Sequence, residues 1–138
     1  MAEFTSDAVV NKLRELKLSY IQNSIGSDPA QLPNHFSEFL GYATLLYDHY
    51  ATSLKHYRNA EAKVLKEENE ARAEVNSKTT KREEKVTVAE MDNRVSIRLS
   101  SLRARKDYLE QEVKGATLHI NGYQSLMKNW GDEAKGIR

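Results

Sequence analysis

A seven-residue repeat of apolar positions dominates this sequence and occurs in two long stretches. In both stretches the positions alternate in steps of four and three, the spacing that returns to one side of a helix. The first set comprises Phe36, Leu40, Ala43, Tyr47, Tyr50, Leu54, Tyr57, Glu61, Val64, Glu68, Ala71 and Val75. The second set comprises Val95, Leu99, Leu102, Lys106, Leu109, Val113, Ala116, Ile120, Tyr123, Met127 and Trp130. Each stretch is therefore predicted to form one long helix with a single apolar edge.

The two apolar edges predict an all-α fold. Neither edge is stable in water, so we expect an N-terminal helix followed by a long antiparallel, coiled-coil-like helical hairpin. Only 39% of the residues are hydrophobic and 30% are charged, which suits long exposed helices. Two helices share little interior, so we expect further copies of the chain to cover the remaining apolar surface in a homo-oligomer.

The segment boundaries follow from local signals. At 138 residues the chain is predicted to be one helical domain. Helices are expected at about 6–25, 35–75 and 88–130, with a linker at 26–33, a basic linker at 76–87 and a tail at 131–138. Residues 26–33 contain both prolines of the chain, which favours a break there.

Capping residues refine those boundaries. Ser6 and Asn34 are expected to cap the first and second helices, and Gly26 and Gly131 to end the first and third. Thr87-Val-Ala-Glu90 has the capping-box pattern, which predicts the start of the third helix.

Two glycines lie inside the predicted third helix. Gly115 and Gly122 stand seven residues apart on one face, and each costs roughly 1 kcal/mol relative to alanine. Either a close approach of another helix or a kink would explain them.

The sequence offers little for catalysis or cofactors. It lacks the nucleotide-binding and metalloprotease motifs and contains no cysteine. His49 and His56 share a helical face, but two histidines in an aromatic seam are more often structural than metal ligands. No apolar run is long enough for a membrane span, and the N-terminus lacks the pattern of a signal peptide. We therefore expect a cytoplasmic binding or assembly protein without a cofactor, and not an enzyme.

Positive charge is concentrated in one part of the chain. Residues 78–106 contain nine basic and four acidic side chains, a net charge of +5, whereas the whole chain carries +1. Arg94 and Arg98 have no acidic residue four positions later, which favours exposed, unpaired guanidinium groups over helical ion pairs. A solvated helix face is the alternative. The candidate phosphate-binding residues are Lys78, Lys81, Arg82, Lys85, Arg94, Arg98 and Arg105.

Tyrosines in the long helices allow two interpretations. Aromatic side chains between cations can stack on the bases of a single strand. Tyr47, Tyr50 and Tyr57 lie on the apolar stripe, however, where packing is the default. Tyr42 and Tyr108 lie off the stripes and remain candidates for base stacking.

The order of these segments resembles a known family. The chain has, in order, a short helix, an aromatic long helix, a charged linker, a Lys-Val-Thr-x-Ala-Glu segment (Lys85 to Glu90) and an amphipathic last helix. This order is similar to that of the bacteriophage UvsY-like recombination mediators, over roughly residues 36–130. The resemblance implies an all-helical oligomer, with a ring as one arrangement, that binds single-stranded DNA. It also implies that the protein helps a strand-exchange recombinase replace single-strand-binding protein, in the cytoplasm of an infected bacterium.

Two functions therefore stand as expectations. The leading one is a single-stranded DNA-binding recombination mediator, with the resemblance supplying the recombinase and single-strand-binding protein as partners. The alternative is a helical scaffold or chaperone whose basic face binds an acidic protein and no nucleic acid.

Overall fold

The computed structural model describes residues 4–134 and 136, and all regular structure in this part of the chain is helical. Three α-helices follow one another: α1 (Ser6–Gln22), α2 (Leu32–Ser77) and α3 (Val88–Ala134). Short 3₁₀ turns at Ile25–Ser27 and Arg82–Glu84 lie in the two connections. The long helices pack against each other, which confirms the predicted all-α fold. Over the described residues, no helix is both long and apolar enough to cross a membrane.

The helix ends differ from the predicted caps at several positions. Thr5, and not Ser6, caps α1, because its hydroxyl accepts the backbone N–H of Ala8 at 3.2 Å. The helix ends before Gly26, through a left-handed Ser24 with φ of 49°. Gly26 instead leaves room for an aromatic ring, since a Cβ atom there would overlap the Tyr20 hydroxyl.

The second and third helices also extend beyond their predicted limits. Helix α2 begins at Leu32, two residues before the predicted cap Asn34, after a turn in which the Asp28 carboxylate accepts the Ala30 N–H at 2.9 Å. Helix α3 continues through Gly131 to Ala134, so the predicted tail is shorter, and part of it lies outside the described residues. The Thr87 hydroxyl accepts the Glu90 N–H at 3.1 Å, which confirms this half of the predicted capping box.

The chain divides into two compact units. Met1–Tyr50 and Leu109–Arg138 form the first, here called the three-helix unit. Ala51–Tyr108 forms the second, the hairpin unit, so α2 and α3 each contribute residues to both.

The three-helix unit contains a continuous apolar core. Helix α1 runs antiparallel to α2, with Tyr20 beside His35. Helix α1 runs parallel to the part of α3 that belongs to the three-helix unit, where Arg14 of α1 pairs with Glu112 of α3 at 2.7 Å. The core comprises Val9, Val10, Leu13, Ile25, Leu32, Phe39, Ala43, Leu46, Leu109, Ala116, Ile120 and Tyr123.

The apolar stripe predicted for the first half of α2 is confirmed at Ala43, which is fully buried, but the buried face also includes residues outside that stripe. Phe39 and Leu46 are fully buried, whereas the predicted Leu40 is 39% exposed and Tyr47 only half-buried. The reason is that this part of α2 contacts both α1 and α3, so its buried face points between the two helices and not at α3 alone. The α3 stripe is confirmed at Leu99, Leu109, Ala116, Ile120 and Tyr123, all of which are buried.

The two interior glycines have different surroundings. A Cβ atom at Gly115 would lie 3.2 Å from the Lys17 Nζ atom, the end of a flexible side chain of α1. A Cβ atom at Gly122 would meet nothing within 4 Å. Of these two glycines, only Gly115 has a side chain of another helix at its Cβ position.

The hairpin unit has a smaller interior and a tightly bound connection. Val64, Val86, Met91 and Leu99 are its buried apolar residues among those described. The Asn76 amide accepts the Val86 N–H at 2.8 Å and donates to the Val86 carbonyl at 3.2 Å. Arg72 Nε donates to the same carbonyl at 2.9 Å. These contacts hold the connection against the end of α2.

Candidate nucleic-acid interface

The basic linker is less positive than its sequence suggests. Lys78 pairs with Glu74 at 2.9 Å, and Lys81 lies 3.8 Å from Glu84. The side chains of Arg82 and Lys85 have no ion-pair or hydrogen-bond partner within the described part of the chain. The linker thus presents two unpaired cations and two that share their charge with carboxylates.

Arg98 corrects the prediction of an unpaired arginine. Its guanidinium donates to Glu67 at 2.6 Å and to Glu68 at 3.1 Å, both on α2. The hydrogen bond from Arg98 lowers the pKa of the Glu67 carboxyl, and the bonds to Glu67 and Glu68 raise the pKa of Arg98. The acids come from the opposite helix, thirty residues earlier, so the absence of an acid four positions later did not exclude pairing.

Arg94 and Arg105 lie on the same helix in different surroundings. Arg94 is exposed and has no ion-pair or hydrogen-bond partner among the described residues. Arg105 is half-buried, and its guanidinium carbon lies 5.6 Å from the centre of the Tyr108 ring. The seven predicted contact residues therefore form no uniform track. Their assignment to nucleic acid stays a prediction.

The antiparallel packing brings together cations that are distant in the sequence. Residues 55–66 of α2 lie beside residues 99–106 of α3, as the contact of Tyr57 with Arg103 shows. We call these two segments the basic zone. It contains seven cations and a single acid, Glu61, and therefore carries a net charge of +6. Its cations are Lys55, Arg58, Lys63, Lys66, Arg103, Arg105 and Lys106.

Several of these cations are open to solvent. Lys55, Arg58 and Lys66 are exposed and have no ion-pair or hydrogen-bond partner within the described residues. Lys55 and Lys66 each stand two residues from an inward-facing position, Tyr57 or Val64, which is about 200° around a helix. They therefore project away from the hairpin seam into water, where a polyanion has access to them.

Tyr57 lies at the centre of the basic zone between two cations. The Arg103 guanidinium carbon is 5.9 Å from the ring centre and Lys106 Nζ is 5.2 Å from it. The Tyr57 hydroxyl accepts a hydrogen bond from Arg103 Nε at 3.3 Å and donates one to Glu61 at 3.0 Å. The bond to Tyr57 is the main cause of the raised pKa of Arg103. This arrangement fixes Tyr57, in agreement with its predicted packing role.

Sequence reasoning missed half of the basic zone. The window 78–106, defined by position along the chain, contains none of the four cations that α2 contributes to the basic zone. Pairing the two predicted stripes in antiparallel register would have placed Tyr57 near Arg103 and revealed the acid-poor region. The sequence therefore contained the information, but only a comparison of two segments far apart in the chain would have shown it.

Two other predicted candidates have structural contacts. Tyr42 packs edge-on against Phe4, with ring centres 5.7 Å apart, within the three-helix unit. His49 Nε2 lies 2.9 Å from the Phe4 carbonyl oxygen. In the part of the chain that the structure describes, no group of three or more His, Cys, Asp or Glu residues is arranged to hold a metal ion.

Comparison with known proteins assigns no family: no protein-family model, curated protein or solved structure matches the chain. Functional inference therefore depends on the geometry and on the sequence resemblance described above.

Proposed function

We propose that this protein binds single-stranded DNA through the basic zone and acts as an accessory protein in recombination. The observation that carries the proposal is the concentration of seven cations in residues 55–66 and 99–106, of which only Lys63 and Lys106 pair with the flanking carboxylates Glu67 and Asp107 in ion pairs that the structure describes. A phosphate backbone laid against such a surface releases condensed counterions, which makes the binding favourable and dependent on salt.

The ion pairs elsewhere in the hairpin unit are compatible with this function. Lys78 and Lys81 are largely exposed, and an exposed ion pair contributes at most about 1 kcal/mol to the stability of the fold. A phosphate group can replace such a carboxylate at little cost. Arg98 differs because two carboxylates bind it, so we assign it to the support of the hairpin.

The more specific role of recombination mediator comes from the resemblance to the UvsY-like proteins. It supplies the expected partners, a strand-exchange recombinase and single-strand-binding protein, and the expected homo-oligomer. In an oligomer each copy would add one basic zone to a common surface, and weak contacts would combine through effective concentration.

Fluorescence anisotropy with a labelled oligothymidylate across a salt series tests the proposal. The double variant Lys55→Glu/Arg58→Glu reverses two exposed cations of the basic zone. We expect roughly tenfold weaker binding at low salt, and a slope of log affinity against log salt that is smaller by at least about 1.4, since each phosphate contact contributes about 0.7 for a single strand.

The matched control is Lys114→Glu/Lys128→Glu in the three-helix unit. Both residues are exposed on α3, and the change in net charge is identical. The control should bind like the native protein. Equal losses in the two variants would show that only net charge matters, and absence of native binding even at low salt would refute the proposal.

An acidic protein partner is the second candidate function. Val88, Ile97 and Leu102 of the hairpin unit are exposed, and exposed aliphatic side chains suit an amphipathic acidic polypeptide better than a phosphate backbone. This alternative predicts that the native protein does not bind the oligonucleotide in the same assay. Light-scattering mass with and without oligonucleotide reports assembly and ligand binding together.

A further inference from the structure

One side of the three-helix unit carries large aliphatic side chains that the core does not bury. Leu118 of α3 is 72% exposed and follows the buried Ala116 by two residues, which is about 200° around the helix. Ile21 of α1 is 73% exposed. The Lys17 side chain reaches Gly115, and Ile21 and Leu118 each come one turn later on these two parallel helices. Both aliphatic side chains therefore lie on the same side of the unit, open to solvent.

Six positions of α3 follow this side in steps of four and three, and none of them is charged. We call them the outer face: Gln111, Gly115, Leu118, Gly122, Ser125 and Asn129. Five are exposed and Gly115 is half-buried. A Cβ atom at Gly122 would meet nothing within 4 Å in the described part of the chain, so the fold of one copy does not require glycine there. Glycine is a poor helix former, and a close contact from outside the chain explains its presence.

We infer that the outer face pairs with the outer face of a second copy of this chain, antiparallel and related by a two-fold axis level with residue 120. In this register Leu118 of each copy lies opposite Gly122 of the other. A protruding side chain thus fills an open position, and the symmetry makes this contact twice. The same register places Gly115 opposite Ser125 and Gln111 opposite Asn129, so small residues meet small ones and amides meet amides.

Charge and area favour a second copy over other occupants. The outer face is uncharged, so it offers no attraction to a phosphate backbone or an acidic polypeptide, and two copies meet there without like-charge repulsion. Residues 111–129 extend about 27 Å. Helix α1 lies beside α3 at a spacing of about 9 Å, so the contact is about 18 Å wide. Each copy then covers on the order of 500 Å², and about 1,000 Å² in total is the lower limit for a specific association. We therefore expect a dimer that dissociates on dilution.

Sedimentation equilibrium of the full chain over a concentration series tests the inference. The native mass should rise from the 15.8 kDa of a single chain towards twice that value. Gly122→Leu places a side chain where Leu118 of the second copy packs, and it should raise the dissociation constant at least about 10-fold. Its helicity by circular dichroism should stay native, because the position is open in a single chain. The matched control Gln124→Leu adds the same side chain about 200° away on the same helix and should dimerise like the native protein.

The double variant Leu118→Ala/Gly122→Leu exchanges the protruding and the open position. Because the axis relates these two positions to each other, the double variant should recover the dimerisation that Gly122→Leu loses. The inference is overturned if the native protein keeps the single-chain mass at every concentration, or if Gly122→Leu associates as the native protein does. A loss in Gly122→Leu that the double variant does not reverse would overturn the antiparallel register.

The absence of cysteine from the chain allows a direct test of this register. Leu118→Cys and Gly122→Cys chains, mixed and oxidised in air, should form a disulfide-linked dimer faster than either variant alone. A mixture of Leu118→Cys with Gln124→Cys is the control. Equal rates in the two mixtures would contradict the inference. Such a failure would leave the proposed function standing, because the basic zone contains none of these residues.

Discussion

Two histidines occupy the aromatic part of the three-helix core. His35 is 6% exposed, and its Nε2 atom is buried without a hydrogen-bond partner among the residues that the structure describes. The His119 ring centre lies 5.9 Å away, and His119 Nε2 is 2.7 Å from the Tyr123 hydroxyl. Tyr20 and Phe39 pack against both imidazoles. Protonation of either ring would place a charge among aromatic side chains.

This cluster predicts that acid destabilises the three-helix unit. Burial lowers the pKa of His119 to about 4, with smaller effects from His35 and Lys17, and burial also lowers the pKa of His35. A histidine in the unfolded chain has a pKa near 6.5, so between about pH 6.5 and 4 the unfolded state binds more protons. The free energy of unfolding should therefore fall as the pH drops through that window, by on the order of 2 kcal/mol for His119.

Thermal unfolding followed by circular dichroism at several pH values measures this loss. Carboxylates also titrate near pH 4, so the comparison is with His119→Gln, which retains a polar amide but has no titrating ring. The variant should lose less stability than the native protein between pH 6.5 and 4. Parallel curves for the two proteins would contradict the assignment to His119.

At the scale of single elements, the register of α2 distinguishes neighbouring leucines. Leu46 is fully buried in the three-helix core, and Leu45 is 37% exposed. Leu46→Ala should lower the free energy of unfolding by about 2–5 kcal/mol, because it removes buried methyl groups and leaves a cavity. Leu45→Ala should cost less than about 1 kcal/mol. Urea unfolding measures both, and equal losses would show that the buried face of α2 is misassigned.

This register also shows how far the sequence specifies a helix. The repeat predicted that α2 is one continuous helix with an apolar side, and both statements hold. Between Phe36 and Tyr50 it identified the buried Ala43 but missed Phe39 and Leu46, which are also buried. The spacing of apolar residues determines how wide the buried face of a helix is. The direction of that face depends on how many neighbouring helices contact it. In α3 the core residues Leu109, Ala116 and Tyr123 matched the predicted stripe.

At the scale of the whole molecule, the two units differ in buried apolar content. Twelve core residues belong to the three-helix unit, whereas the hairpin unit buries four among the residues described. We expect backbone amides of residues 58–72 and 94–104 to exchange with solvent at a lower free energy than those of residues 39–46 and 113–123, because less apolar contact holds them closed. Native-state hydrogen exchange with site resolution measures this. Equal protection of the two groups of amides would contradict it.

Charge is also divided between the units. Ala51–Tyr108 contains 14 basic and 10 acidic residues, a net charge of +4, and the remainder of the chain carries −3. A chain that is almost neutral as a whole thus has one positive unit. This separation explains why overall net charge gives no indication of nucleic-acid binding while the hairpin unit favours it.

The sequence by itself determined that the chain is all-α, that two of its helices are long, and that Thr87 caps the last of them. These properties depend on repeats and caps that span a few neighbouring residues, where the local interactions are strong enough to decide. Only the tertiary structure decided that Arg98 is bound by Glu67 and Glu68, and that Tyr57 of α2 lies beside Arg103 and Lys106 of α3. Those outcomes depend on the register between segments some thirty to fifty residues apart. That register is set by the packing of all three helices, a collective property that no single stretch of residues encodes.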